Sequence, residues 1–185
     1  MPISQLDAQT ALVIIDLQKG IVSVPTVHPT ADIVARSAEL ARAFRERGLP
    51  VVLVNVDGVP PGRTETPRPK LAFPPDFAEL VPELEQQPDD ILITKKSPGA
   101  FLGTALDEEM LDRSVTQVVF TGVSTSVGVE ASARSAFDLG YNVVFAVDAM
   151  TDRDPDSHAH SVEKVFKRIG ETGTTEDILK LLSER

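Results

Sequence analysis

Five short apolar runs punctuate the chain: Ala11–Ile15, Val51–Val56, Ile91–Ile93, Val118–Phe120 and Val143–Val147. They are rich in Val and Ile, lack polar alternation and are bounded by turn or charge signals. That pattern suits strands buried on both faces of a parallel sheet. Between the runs the period becomes helical. From Thr30 to Arg47 the residues Ile33, Val34, Leu40, Ala41 and Phe44 fall on one face, and Gly48 marks the stop. Leu102–Leu111 and Ser126–Leu139 are further helical segments, the second ended by Gly140. Ser157–Arg168 and Thr174–Leu182 follow, the latter with Thr174 as cap and Asp177 at the third helical position. Alternating strands and helices predict right-handed crossovers and a doubly wound α/β sheet, with residues 1–185 forming one domain.

One segment departs from this rhythm. Asp57–Asp76 holds six of the 14 prolines and has no period, so a long loop is expected there, of the kind that usually serves function. It carries Arg63, Arg68 and Lys70, cations suited to cover a pocket and hold an anionic substrate.

Composition narrows the function. A length of 185 residues suffices for a sheet covered on both faces, and 42% hydrophobic with 25% charged residues is a globular balance. Eighteen Lys and Arg against 28 Asp and Glu leave a net charge of −10, which repels phosphate backbones and anionic lipid. Nucleic acid and membrane are therefore not expected as partners. The absence of cysteine excludes disulfides, thiolate metal sites and thiol nucleophiles. The opening MPISQLDAQT has no basic region followed by an apolar stretch, and no apolar run approaches membrane-spanning length, so cytoplasmic residence is expected.

In an open parallel sheet, ligands bind beyond the carboxyl ends of the strands. The strand-closing residues are Asp16, Asn55 with Asp57, Lys95, Gly122 with Ser124, and Asp148. Familiar signatures fail here. No glycine-rich nucleotide loop is present, and Gly122-Val-Ser-Thr-Ser126 lacks the second glycine of a nucleophile elbow. Of the three histidines, His158 and His160 stand two apart in a polar helical segment and point to different sides, so no metal site is expected. None of the three falls near a strand end, as a triad would need. A carboxylate and an amine remain. Asp16 closes the first run, where an isolated Asp also reads as a cap. Lys95 and Lys96 point in opposite directions, so at most one faces Asp16. The stretch Thr121–Glu130 passes from strand to helix through small hydroxyl residues and puts Gly128 in the first helical turn. Glycine there costs roughly 1 kcal/mol relative to alanine. Either a pocket needs the space or helix and strand pack closely. The amides of such a helix start also form an anion or oxyanion site.

Taken in order, these segments resemble the isochorismatase-like hydrolase superfamily, which includes nicotinamidases, N-carbamoylsarcosine amidohydrolases and isochorismatases. Ala11-Leu-Val-Ile-Ile-Asp16-Leu-Gln18 is similar to its first strand and catalytic Asp. Lys95-Lys-Ser-Pro-Gly-Ala-Phe101 is similar to its lysine motif, where the Lys stands six residues before a Phe, which selects Lys95 over Lys96. Thr121–Tyr141 is similar to its signature block, with Gly128 where the family usually carries a nucleophilic Cys. The resemblance implies a three-layer α/β/α fold with about six parallel strands in the order 3-2-1-4-5-6. It also implies a non-prolyl cis peptide at Val123–Ser124, and a homo-oligomer, dimer or tetramer.

For function, the resemblance implies a hydrolase with Asp16 and Lys95 as catalytic residues. Ser124, Thr125 and Gly128 would form the oxyanion or substrate-binding turn, joined by Gln18, Asn55, Phe101, Arg63 and Arg68. No metal or cofactor is expected, since Asn55-Val-Asp-Gly-Val59 has none of the histidines that nicotinamidases carry after strand 2. Without a thiol, acid–base chemistry on a small, anionic molecule is implied, with an isochorismate-like vinyl ether as one substrate. The alternatives are water-mediated amide or ester cleavage, and a silent member that only binds. A general acid needs its proton, whereas a neighbouring Lys favours the carboxylate; burial or substrate charge must decide.

Overall fold

The computed structural model describes residues 2–65 and 73–184. The apolar runs all become parallel strands: β1 (Thr10–Ile15), β2 (Val51–Val56), β3 (Ile91–Lys95), β4 (Gln117–Val123) and β5 (Asn142–Thr151). A sixth, β6 (Glu171–Gly173), completes the sheet in the order β3-β2-β1-β4-β5-β6. β6 escapes the hydrophobic pattern because it is an edge strand of three residues, Glu-Thr-Gly. β1 and β4 are buried along their whole length, as strands covered on both faces must be.

Two apolar layers flank the sheet. On one face Val13, Ile15, Val54, Phe120 and Phe145 pack against Val129 and Ala133 of the segment after β4 and against Phe166. On the other, Leu12, Ile14, Leu53 and Val119 meet Ile33, Leu40 and Phe44, with Ile178 and Leu182 alongside. A short helix α1 (Lys19–Val22) follows β1, and α2 (Thr30–Glu46) covers the second face as its periodicity predicted. α3 spans Leu106–Asp112, starting later than expected because Thr104 Oγ1 accepts the Leu106 amide and sets the entry. The segment after β4 begins as a π turn (Thr125–Val129) and continues as α4 (Glu130–Asp138). α5 (Pro155–His160), a second π turn (Ser161–Val165) and α6 (Phe166–Ile169) replace the single helix expected there. α7 (Thr175–Ser183) starts in a reciprocal capping box of Thr174 and Asp177.

The strand order reverses between β1 and β4, whose ends lie in register at Ile15 and Gly122. A β carbon on Gly122, which sits at φ +116°, would lie 2.0 Å from the Ile15 carbonyl oxygen, so only glycine allows this approach. β5 runs past the predicted Val147. Phe145 pairs with Phe120 but Met150 pairs with Gly122, so a bulge carries β5 on to Thr151 and makes Asp152, not Asp148, the acid at its end. Asp148 instead caps α7, accepting the amide and hydroxyl of Thr175. Among the described residues no helix is long and apolar enough to cross a membrane.

Candidate active site

The site is built at the carboxyl edge where the sheet changes direction, the position such folds offer to ligands. β1 delivers Asp16, whose backbone turns into the left-handed region at φ +53°. β3 alternates buried and exposed positions and ends with Lys95 inward, opposite Val56 of β2. Lys95 Nζ donates to Asp16 Oδ2 at 2.8 Å and to the Ser97 carbonyl at 3.2 Å. Lys96 turns away, its stem lying beside Gly58. The residue count therefore picked the lysine that the alternation of β3 turns inward.

The pair is enclosed: Asp16 is 5% exposed and Lys95 2%. Burial pushes the Asp16 carboxyl up to about 6, while the charge and hydrogen bond of Lys95 pull it down. Desolvation outweighs the ion pair and leaves the carboxyl above its ordinary range. Asp16 Oδ1 is buried with no hydrogen-bond partner among the described residues. An unsatisfied carboxyl oxygen is costly, and it belongs where something else is meant to bind.

Gly128 lies against this carboxyl. A β carbon there would sit 3.3 Å from Asp16 Oδ2, 3.3 Å from the Val123 carbonyl oxygen and 2.9 Å from Ile15 Cγ2. The π turn that carries it follows a cis peptide at Val123–Ser124, as the resemblance implied. Two of its amides are already engaged. Ser126 N and Oγ both donate to Asp152 Oδ2 at 2.7 Å, and Val127 N donates to the Ser124 carbonyl at 3.1 Å. The Thr125 hydroxyl is paired too, 2.9 Å from His158 Nδ1. The row of free amides expected from Ser124 to Gly128 is therefore interrupted: those of Ser126 and Val127 are taken, and Thr125 is fully buried.

Several residues expected to bind substrate do other work. Gln18 is fully buried; its Oε1 accepts the Val56 amide at 2.7 Å, and its Nε2 donates to the Val56 and Phe77 carbonyls at 2.9 Å each. It is a clamp between loops with no donor to spare. Asn55 stands one residue out of phase with Lys95's partner Val56, on the opposite face, and donates to the Ala78 carbonyl at 2.8 Å. With no imidazole beside it, this segment does not fit the metal that nicotinamidases hold after strand 2. Phe101 is core, tilted against Tyr141 with ring centroids 6.0 Å apart. Arg63 is exposed, and Arg68 lies outside the described residues. The ends of the Asp57–Asp76 segment are tied down on either side of the pair. Asp57 N donates to the Lys95 carbonyl at 3.1 Å, and the Phe77 carbonyl accepts from Gly20 N at 3.1 Å.

Sequence reasoning missed Asp152 and His158. The bulge in β5 hid the first, and the second reaches the turn because α5 packs against the π turn after β4, which corrects the view that no histidine lies near a strand end. The signal that was legible, a Thr-Asp pair after an apolar run, resembled an ordinary loop start.

A parallel 3-2-1-4-5-6 sheet with a buried Asp–Lys pair at its switch point defines a doubly wound α/β protein with an enclosed ion pair where the strands reverse. The Isochorismatase domain model matches residues 10–177, and the chain belongs to the isochorismatase family of hydrolases. It is 38% identical over 179 residues to the isochorismatase family protein YwoC of Bacillus subtilis, covering 93% of each chain. It is 29% identical to the ureidoacrylate amidohydrolase RutB of Stutzerimonas stutzeri, covering 84% of this chain and 75% of that one. The structure of an isochorismatase family protein from Burkholderia thailandensis superposes with a TM-score of 0.94 at 37% identity, covering 97% of this chain and 98% of the other.

Proposed function

We propose that this chain hydrolyses a small anionic molecule by acid–base chemistry at Asp16, without a covalent protein nucleophile. One observation carries the reading: a carboxyl with one oxygen held by Lys95 and the other buried without a partner among the described residues, its pKa pushed up to about 6 by burial. A group poised close to neutral pH is suited to both giving and taking a proton. Gly128, where the resemblance would put the family's nucleophilic Cys, offers no attacking atom, and the chain has no cysteine elsewhere.

On an isochorismate-like vinyl ether the steps balance simply. Asp16 protonates the terminal methylene carbon, and the adjacent carbon becomes an oxocarbenium ion. Water adds its oxygen to that carbon and returns a proton to Asp16. The hemiketal then expels the alcohol and leaves a 2-keto acid. Lys95 compensates the carboxylate formed when Asp16 gives up its proton, and the Gly128 side of the turn, beside Asp16 Oδ2, is where substrate negative charge would be met. Direct water attack on an amide or ester is the competing chemistry, with the same side of the turn meeting the developing charge.

The test is a panel of vinyl ethers, amides and esters with an anionic group, assayed across pH with Asp16→Asn as control. Vinyl-ether cleavage that declines above about pH 6, and falls by roughly 10²–10⁴-fold in Asp16→Asn, is expected. Equal rates in the variant would refute the role of Asp16. Binding without turnover across the panel would make the chain a silent member of its family.

A further inference from the structure

The turn that presents Gly128 to Asp16 is held from behind by residues that take no part in the chemistry proposed above. Asp152 Oδ2 takes both the amide and the hydroxyl of Ser126 at 2.7 Å, and its Oδ1 accepts the Arg153 amide at 2.7 Å. His158 Nδ1 stands 2.9 Å from Thr125 Oγ1. A hydroxyl on an imidazole nitrogen suggests a nucleophile and its base. Thr125 has no exposed surface, however, so no substrate reaches that oxygen. The contact is a tie.

We propose that His158 is a positioning residue for the 124–128 turn. Its Nδ1 accepts the Thr125 hydroxyl proton, this tie together with the Asp152–Ser126 bonds holds Gly128 against Asp16, and protonation of His158 releases Thr125 and loosens the turn. The inference rests on the reading that this turn belongs to the reactive cleft. A neutral imidazole with its proton on Nε2 accepts at Nδ1, whereas the imidazolium has two donors and no acceptor, so a proton on Nδ1 displaces the Thr125 hydroxyl hydrogen and the contact must reverse or break.

The surroundings favour the neutral form. His28, from the segment before α2, meets the His158 ring edge-on with centroids 4.9 Å apart, so two protonated rings would repel. His28 is itself fixed, its amide donating to Thr151 Oγ1 at 3.0 Å, while Val27 N donates to the Asp152 carbonyl at 2.8 Å. Asp152, at the end of β5, opposes this by favouring the cation. On its own helix His158 has Asp154 and Asp156 nearby, and Asp154 is turned to the Ser157 amide. One turn further on, Ser161 donates to Glu130 of α4 at 2.7 Å. Burial first, and His28 second, hold the His158 pKa below its ordinary value against the pull of Asp152.

The experiment is an NMR titration of the full chain without substrate, following the His158 imidazole C–H and the amides of Thr125, Ser126 and Gly128. It uses an Asp16→Asn background, so that Asp16 does not contribute its own titration. The three amides should move with the His158 midpoint, below 6.5. Thr125→Val, which removes the hydroxyl at nearly constant volume, should raise that midpoint and uncouple Gly128 from it, and Thr125→Ser should restore both. If Thr125→Val does not fold, His28→Asn serves instead: the His158 midpoint should rise and the three amides should follow it. A Gly128 amide indifferent to His158, or a midpoint unchanged by whichever variant is read, overturns the proposal. Because no turnover is measured, this outcome is separate from whether Asp16 acts as the acid.

Discussion

Replacing Lys95 by Met removes the cation and keeps most of the apolar stem, leaving Asp16 alone in its enclosure. Breaking one side of a buried ion pair ordinarily costs about 3–5 kcal/mol, because a charge is stranded. Here the stranded group has an escape, since its pKa already stands near 6 with the lysine present. Without Lys95, burial is unopposed and the folded-state value moves above 6. The sign follows from linkage. A carboxyl whose folded pKa exceeds its unfolded one is stabilised by proton uptake at low pH, and that stabilisation is lost as pH rises through the folded value. In the wild type the loss runs from about pH 3.8 to about 6, on the order of 3 kcal/mol in all. In Lys95→Met it continues past pH 6 at about 1.4 kcal/mol per unit. The gap between variant and wild type should therefore be smallest near pH 5 and widest at pH 8 and above. Urea unfolding followed by far-UV circular dichroism is the suitable assay, since the chain has no Trp and a single Tyr. A gap of constant size from pH 5 to pH 8 would refute the reasoning. So would the same slope in the Asp16→Asn/Lys95→Met double variant.

Two further substitutions test packing around the site. Gly128→Cys should fold but lose about 1 kcal/mol in equilibrium unfolding: the β carbon meets Ile15 Cγ2 at 2.9 Å, and overpacking at about 1–3 kcal/mol outweighs a helix-propensity gain below about 1. A gain in stability would show that Ile15 yields freely. Gly20→Ala should detach Phe77, whose ring a β carbon would meet at 2.0 Å, and limited proteolysis should then cut faster near residues 73–80, whereas an unchanged cleavage rate would mean that the aromatic contact does not anchor the segment.

What the sequence determined by itself is whatever depends on local spacing. Apolar runs without alternation marked the buried strands, the 3.6 period marked α2, and Thr174 with Asp177 marked the start of α7. The strand-end residues Asp16 and Lys95, with Gly128 at the helix start, followed from motif order. These features are written in neighbours along the chain, and the competing readings of each alone gave way when all three fell in one order. The tertiary structure decided which groups meet across the sheet. Register placed Lys95 opposite Val56 and so beside Asp16, while Asn55, one residue away, faced the other layer. The bulge in β5 brought Asp152 to Ser126, and the packing of α5 carried His158 to Thr125, 33 residues distant. Gln18 looked like a site residue because it stands two residues after Asp16, but its three hydrogen bonds reach residues 38 and 59 positions away. The elevated pKa of Asp16 likewise has no local cause. It comes from water being excluded by side chains drawn from both faces of the sheet, a balance of burial against one ion pair that exists only once the chain has folded.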